Sequence, residues 1–181
     1  APPEFREQRH RLNDRLLQRF IHQPERRSRL ILDLDSPGVT VFGRQEGAAV
    51  GYNPRYRGKR SYDPLLCLEA NSAFLGDTEL RPGTAGTWAG SVELLASCFL
   101  SVPSDMRELR VRADAGFGFD PGLTVLEERA AGYAVVARMT ASLKRILGPL
   151  RYQRLHARWE VAEDAPHPSD WKQARRCIVA R

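Results

Sequence analysis

The chain has 181 residues, with 28 basic side chains (only three of them lysine) against 22 acidic ones, for a net charge of +6. This length suits one domain of ordinary size, and 42% hydrophobic content is enough for a real core. No run approaches the roughly 18 apolar residues of a membrane helix, and collagen-like, low-complexity and mucin-like classes are excluded as well.

Ala1-Pro2-Pro3-Glu4-Phe5-Arg6 holds neither an apolar signal run nor a methionine, and reads as a trimmed end. From 4 to 23, Phe5, Leu12, Leu16, Leu17, Phe20 and Ile21 recur at helical spacing and predict an amphipathic helix that stops before Pro24. Arg9, Arg11, Arg15 and Arg19 form its basic outer face, which reads first as a solvated helix face. Next, Leu30 to Asp35 predicts a strand on which Asp33 and Asp35 share one face, because strand side chains alternate. Carboxylates are costly to bury unpaired, so this pair is expected at a solvent-reaching position beside a compensating cation. Val39-Thr40-Val41-Phe42 follows Ser36-Pro37-Gly38, which reads either as a tight turn or as a bulged kink in one long strand.

Residues 44 to 62 are polar, glycine-rich and without helical or strand period, and so predict a long loop of functional character. The loop carries Arg44, Arg55, Arg57, Lys59 and Arg60, with Tyr52, Tyr56 and Tyr62 interleaved. Strands are expected at 64–70 and 73–80, the second ended by Arg81-Pro82-Gly83. A helix at 88–101 has Val92, Leu95, Cys98 and Phe99 on its apolar side, and a short strand at 109–113 ends in Asp114-Ala115-Gly116. Asp120-Pro121 predicts a helix start with the aspartate as cap, and Gly132 its stop. A strand at 133–137, a short helix at 142–147, a half-exposed strand at 155–161 and its partner at 176–180 complete the chain. Antiparallel strands followed by strand-helix repeats make this an α/β chain with a mixed sheet and helices on its faces.

Acidic residues end two of the apolar strands. If the strand at 109–113 lies beside the first one, Asp35 and Asp114 converge, and paired carboxylates suit Mg²⁺ or Mn²⁺, hard ions that prefer oxygen ligands. The competing reading is that each aspartate caps a turn or pairs with a nearby arginine, and the sequence leaves both open. Gly116-Phe117-Gly118 lacks the rest of a dinucleotide loop, and no P-loop, HExxH or Gly-x-Ser-x-Gly motif is present. The four histidines lack metal-ligand spacing. Cys67, Cys98 and Cys177 form no CxxC pair and read as reduced thiols, which makes a cytoplasmic protein the default.

Several ordered motifs resemble the DDE transposases of bacterial insertion sequences, in the branch with a β-rich insertion in the catalytic domain. These are Leu32-Asp33-Leu34-Asp35-Ser36, the stretch from Gly43 to Pro54, Ser61-Tyr62 with Pro64-Leu65-Leu66-Cys67, Leu80-Arg81-Pro82-Gly83 and Arg112-Ala113-Asp114-Ala115-Gly116-Phe117. The resemblance spans 29–181 and implies an RNase H-like fold. It also implies a two-metal site with Mg²⁺ or Mn²⁺, DNA strand transfer, double-stranded DNA partners (transposon ends and target), a transposase homodimer, no membrane, and a nucleoid-associated cytoplasmic location. Asp35 matches the first catalytic aspartate and metal ligand and Asp114 the second, with Asp33 as the ambiguous neighbour of the first. Arg44, Arg55, Arg57, Lys59 and Arg60 are the expected DNA contacts. The family's third acid, a glutamate, follows the insertion, and Glu160 and Glu163 are poor substitutes for it, so the chain is expected to be catalytically incomplete alone, or else a non-catalytic DNA-binding remnant. The expected division is an N-terminal helix at 1–28, a partial catalytic core at 29–150 and the start of the insertion at 151–181. Pro37, Asp63, Thr84 and Gly86 depart from the family's usual Thr, His, Asn and His, which points to a divergent copy; the resemblance favours one long first strand kinked at Pro37.

Overall fold

The computed structural model describes residues 3–21, 28–72, 74–129 and 131–181. Two compact units divide the chain, Ala1–Val136 and Ala137–Arg181. The first holds α1 (Pro3–Ile21), β1 (Leu30–Asp35), β2 (Val39–Thr40), β3 (Ala49–Val50), β4 (Arg60–Tyr62), β5 (Leu65–Glu69), β6 (Phe74–Glu79), α2 (Ser91–Leu100), β7 (Leu109–Ala113), α3 (Asp120–Glu128) and β8 (Gly132–Val135). The second holds α4 (Ala141–Leu147), β9 (Gln153–His156), β10 (Trp159–Asp164) and β11 (Cys177–Ala180).

The first unit is built on a five-stranded sheet in the order β6-β5-β1-β7-β8. β6, β5 and β1 pair antiparallel, while β1, β7 and β8 run parallel. Three antiparallel strands followed by two parallel strands reached through α2 and α3 give the RNase H-like arrangement. Alternation explains its layering. Leu30, Leu32 and Leu34 of β1 are buried with Leu65 and Cys67 of β5 and Val111 of β7, against Leu94, Leu95, Cys98 and Phe99 of α2 and Leu123 and Leu126 of α3. Each fully buried leucine contributes about 1.5–3 kcal/mol relative to an exposed one. On the other side of β1 lie Ile31, Asp33 and Asp35, the last of these exposed. Cys67 and Cys98 are buried reduced thiols, and the Cys98 thiol is pushed far up by its hydrogen bond with Cys67 and by burial.

α1 lies along β6, and Gln18 Nε2 donates to the Ser101 carbonyl at 2.7 Å. Leu12 and Leu16 of its predicted apolar stripe are exposed, as are Arg11, Arg15 and Arg19. The side chains of Phe5, Arg9, Leu17, Phe20 and Ile21, and the predicted helix residues 22 and 23, lie outside the described residues, as does residue 73 at the predicted start of β6.

Several boundaries differ from expectation. The first strand does not continue past Pro37: β1 ends at Asp35, and β2 pairs with β4 in a separate three-stranded sheet, β2-β4-β3. Residues 44–62 are therefore not all loop, since β3 and β4 are strands too short to show a period. The helix expected from 88 starts at Ser91, because Gly90 takes a left-handed φ of 77°. Phe119 rather than Asp120 caps α3, which ends at Glu128, and Gly132 opens β8. The strand expected at 155–161 is two strands, β9 and β10, around a turn at Ala157-Arg158, and β10 pairs with β11 as expected. Among the described residues no helix is long and apolar enough to cross a membrane.

Candidate functional site

The parallel register of β1 and β7 places Leu34 opposite Ala113, so one further step sets Asp35 beside Asp114 at the C-terminal ends of neighbouring strands. Such strands lie about 4.8 Å apart. Both aspartates are exposed, and each is steadied through one oxygen: Asp35 Oδ1 accepts from Ser36 N at 2.8 Å and Asp114 Oδ1 from Gly116 N at 2.8 Å. Asp33 has a different fate. It faces Arg112 across the strand pair, and the guanidinium donates to both of its oxygens at 2.6 Å. This is the compensating cation expected from sequence, and the hydrogen bond from Arg112 to Asp33 raises the arginine's pKa. With Arg112 held bidentately by Asp33, Asp35 and Asp114 remain as the adjacent pair.

Behind Asp35 lies a buried guanidinium. Arg81, 5% exposed, follows β6 and donates from Nη2 to Ser36 Oγ at 2.7 Å and from Nε to the Asp63 carbonyl at 2.9 Å. Its Nη1 donates to the carbonyls of Gly86 and Thr87, each at 3.2 Å, and to that of Ala89. Ser36 Oγ in turn donates to Asp63 Oδ1 at 2.6 Å, and the Asp63 carboxylate pairs with Arg81 at 3.4 Å. Burial pulls the Arg81 pKa down, while Asp63 and Glu79 hold it up. Two of the residues that depart from the family pattern, Asp63 and Gly86, are thus partners of Arg81. The 86–89 loop reaches the second acid as well: a Cβ on Gly116 would lie 2.5 Å from Thr87 Cγ2 and 3.0 Å from Asp114 Oδ1. Glycine is the residue that permits this approach.

The basic residues are carried by the small sheet. Asp35 and Val39 are four residues apart, so β2 starts within about 14 Å of the acid pair. Val39 and Thr40 pair with Tyr62 and Ser61, and Ala49 and Val50 with Ser61 and Arg60. Gly83 N donates to the Ser61 carbonyl at 2.8 Å, and a Cβ on Gly51 would fall 1.7 Å from the Gly83 carbonyl oxygen. Backbone therefore packs on backbone where the small sheet meets the Pro82-Gly83 turn. Arg44, Arg55, Arg57, Lys59 and Arg60 are all exposed, with Arg60 Nε tied to the Ala48 carbonyl at 2.9 Å. Tyr56 sits between Phe42, edge to face at 5.7 Å, and the Arg55 guanidinium, 5.6 Å from its ring. Tyr62 donates to the Glu46 carbonyl, whereas Tyr52 is 89% exposed.

The family model described as transposase DDE domain group 1 matches residues 2–180. The chain belongs to that transposase family. No curated protein matches its sequence. Among solved structures, the transposase domain is similar to piggyBac transposase in a synaptic complex with hairpin DNA, at 14% identity and a TM-score of 0.47, over 83% of this chain and 32% of that one. It is also similar to Mos1 transposase in a paired-end complex with the left transposon end, at 12% identity and a TM-score of 0.39, over 76% of this chain and 44% of that one. The chain spans less than half the length of either.

The donor chemistry at the strand ends of the transposase domain fits a hard divalent cation: one carboxylate ending β1 and one just past the end of β7, oxygen ligands only, each with one oxygen engaged by backbone. Among the described residues no group of three or more Asp, Glu, His or Cys converges in a way that could hold a metal ion. Glu160 and Glu163 are paired with Arg181 and Arg176. The roles of Arg81, Asp63 and Thr87 around the acid-bearing turns are not marked in the sequence. Arg81 and Asp63 occur in a turn and a short linker, where no periodicity marks a buried polar residue.

Proposed function

We propose that this transposase domain binds DNA and presents Asp35 and Asp114 as two of the ligands of a Mg²⁺ or Mn²⁺ site for phosphodiester hydrolysis and strand transfer. The observation that carries this reading is the pairing of Asp35 with Asp114 at parallel strand ends while Arg112 sequesters Asp33. When bound, the cations would supply Lewis acidity at the scissile phosphate and lower the pKa of an attacking water. The chain's own residues provide the frame: β1 and β7 fix the two carboxylates, Ser36 and Gly116 orient them through backbone N–H groups, and Arg81 stiffens the turn after Asp35. Arg44, Arg55, Arg57, Lys59 and Arg60 neutralise phosphate by counterion release. Glu160 and Glu163, the acids of the insertion strands, are held in ion pairs by Arg181 and Arg176, which supports a domain that binds metal and DNA without completing cleavage alone.

Calorimetric titration with Mn²⁺ tests the assignment. Binding is expected in the wild-type chain and is expected to be lost in Asp35→Asn; unchanged affinity in that variant would overturn it. A supercoiled-plasmid assay with Mn²⁺ separates the two roles, since DNA binding without nicking is the expected result for these residues by themselves.

A further inference from the structure

We propose that the exposed indole of Trp88 is a stacking platform for an unpaired nucleobase, at the end or a frayed position of the DNA strand entering between Asp35 and Asp114. The proposal rests on the reading of this domain as DNA-binding, and it adds the state of the DNA that the site accepts.

Trp88 is 58% exposed. Exposure alone does not mark a site, since Phe42 and Leu100 are more exposed still; what distinguishes Trp88 is a large π-face held on a fixed loop beside the acid-bearing turns. Arg81 donates to the carbonyls on either side of Trp88, at Thr87 and Ala89, and the Trp88 carbonyl itself accepts from Ser91 N at 3.0 Å and Ser91 Oγ at 2.6 Å. Ala89 N closes a turn onto the Gly86 carbonyl at 2.9 Å. The indole also packs against the Phe119 ring, with centroids 5.4 Å apart and planes tilted by 44°. Phe119 lies five residues beyond Asp114, in the turn that Gly116 brings against Thr87. Meanwhile the guanidinium that holds this loop is bonded to Ser36, the neighbour of Asp35. The ring is thus backed by Phe119, has Gly86 along its Nε1 edge, is otherwise open to solvent, and is carried on a loop tied to both acid-bearing turns.

A core role is already filled by Phe117, which is 3% exposed. The ligand class follows from the surroundings. The Pro82-Gly83 turn that leads into the Trp88 loop is the one on which the basic β2-β4-β3 sheet packs, so a polyanion guided there passes the indole. Stacking on an aromatic ring is indifferent to base identity because every base has a π-face, but a base inside a duplex has both faces covered. The expected ligand is therefore an unpaired nucleotide attached to duplex DNA.

Fluorescence anisotropy of the 181-residue chain with two labelled duplexes, one blunt and one with a short 3′ unpaired thymidine extension, tests this. The wild-type chain is expected to prefer the extended duplex. Trp88→Ala is expected to lose that preference by about tenfold in affinity, with blunt-duplex affinity and the salt slope unchanged, and Trp88→Phe is expected to keep most of it. In parallel, the extended duplex is expected to quench the part of the tryptophan emission that is missing in Trp88→Phe, and the blunt duplex is not; this reading needs no alanine variant to fold. An extension preference that survives Trp88→Ala, or absence of that quenching, would overturn the stacking role while leaving salt-dependent DNA binding intact. A wild-type chain that binds neither duplex at low salt would overturn both readings together.

Discussion

Leu65 and Val111 in the five-stranded sheet are fully buried and Leu32 is 1% exposed, whereas β2, β3 and β4 bury a single side chain among them, Ser61. The two sheets are adjacent in the chain at Tyr62-Asp63, yet they are held by different physics. One depends on apolar volume and is sensitive to lost methyl groups. The other depends on close backbone approach at Gly51 and Gly83 and is sensitive to added ones. The acid pair is held by the first kind of structure and the basic surface by the second, so the two halves of the proposed site should be separable by substitution.

The largest expected effect is on the volume-dependent sheet. Leu65→Ala should cost about 2–5 kcal/mol, read as a lower urea midpoint. A cost below about 1 kcal/mol would mean that the core relaxes around the cavity and that the contrast between the sheets is false. Gly51→Ala should follow. Its Cβ would meet the Gly83 carbonyl oxygen at 1.7 Å, so the small sheet must shift. A stability loss of about 1–3 kcal/mol is expected, together with a fall of at least about tenfold in low-salt DNA affinity as the basic residues lose their placement. If melting and DNA affinity both stayed at wild-type values, the basic surface would not depend on this contact.

The smallest effect concerns the far end of β5. Burial works to raise the pKa of the Glu69 carboxyl, but hydrogen bonds from the Ser72 hydroxyl and backbone and from Asn71 outweigh it, and the group lies below its ordinary 4.5. A depressed folded pKa adds stability that is fully present above about pH 4.5 and is lost as pH falls through the lower folded value. Glu69→Gln should therefore cost on the order of 1 kcal/mol at neutral pH and flatten the acid limb of the stability profile. Parallel acid limbs for the two proteins would remove Glu69 from the account.

The legible parts of this molecule are those with a period. Apolar residues along 30–35 and 109–113, with an acid closing each run, are enough to expect two strands whose ends meet if the strands are neighbours, and the rule that buried carboxylates need cations is enough to expect a cation beside the Asp33/Asp35 pair. What escaped was set by single contacts. β3 and β4 are too short to show alternation, and local patterning leaves β2 open between a tight turn and a continued first strand, the resemblance alone favouring the latter, because nothing local says that Val39 will pair with Tyr62 rather than continue β1. Trp88 read as the first residue of a helix, since the left-handed backbone at Gly90 that delays the helix is invisible to hydrophobic spacing. Arg81 read as part of a turn, because a buried guanidinium is recognised only by the carbonyl groups that surround it.

Arg81 has a further consequence for motion. One side chain holds the turn after β1, the link into β5 and the loop before α2, so none of these segments can leave its place without uncovering a cation that the others still surround. Segments tied in this way open as one unit rather than fraying singly. Their amides should then share a single slow exchange rate, and the entrance to the acid pair would behave as a hinged block rather than as three independent loops.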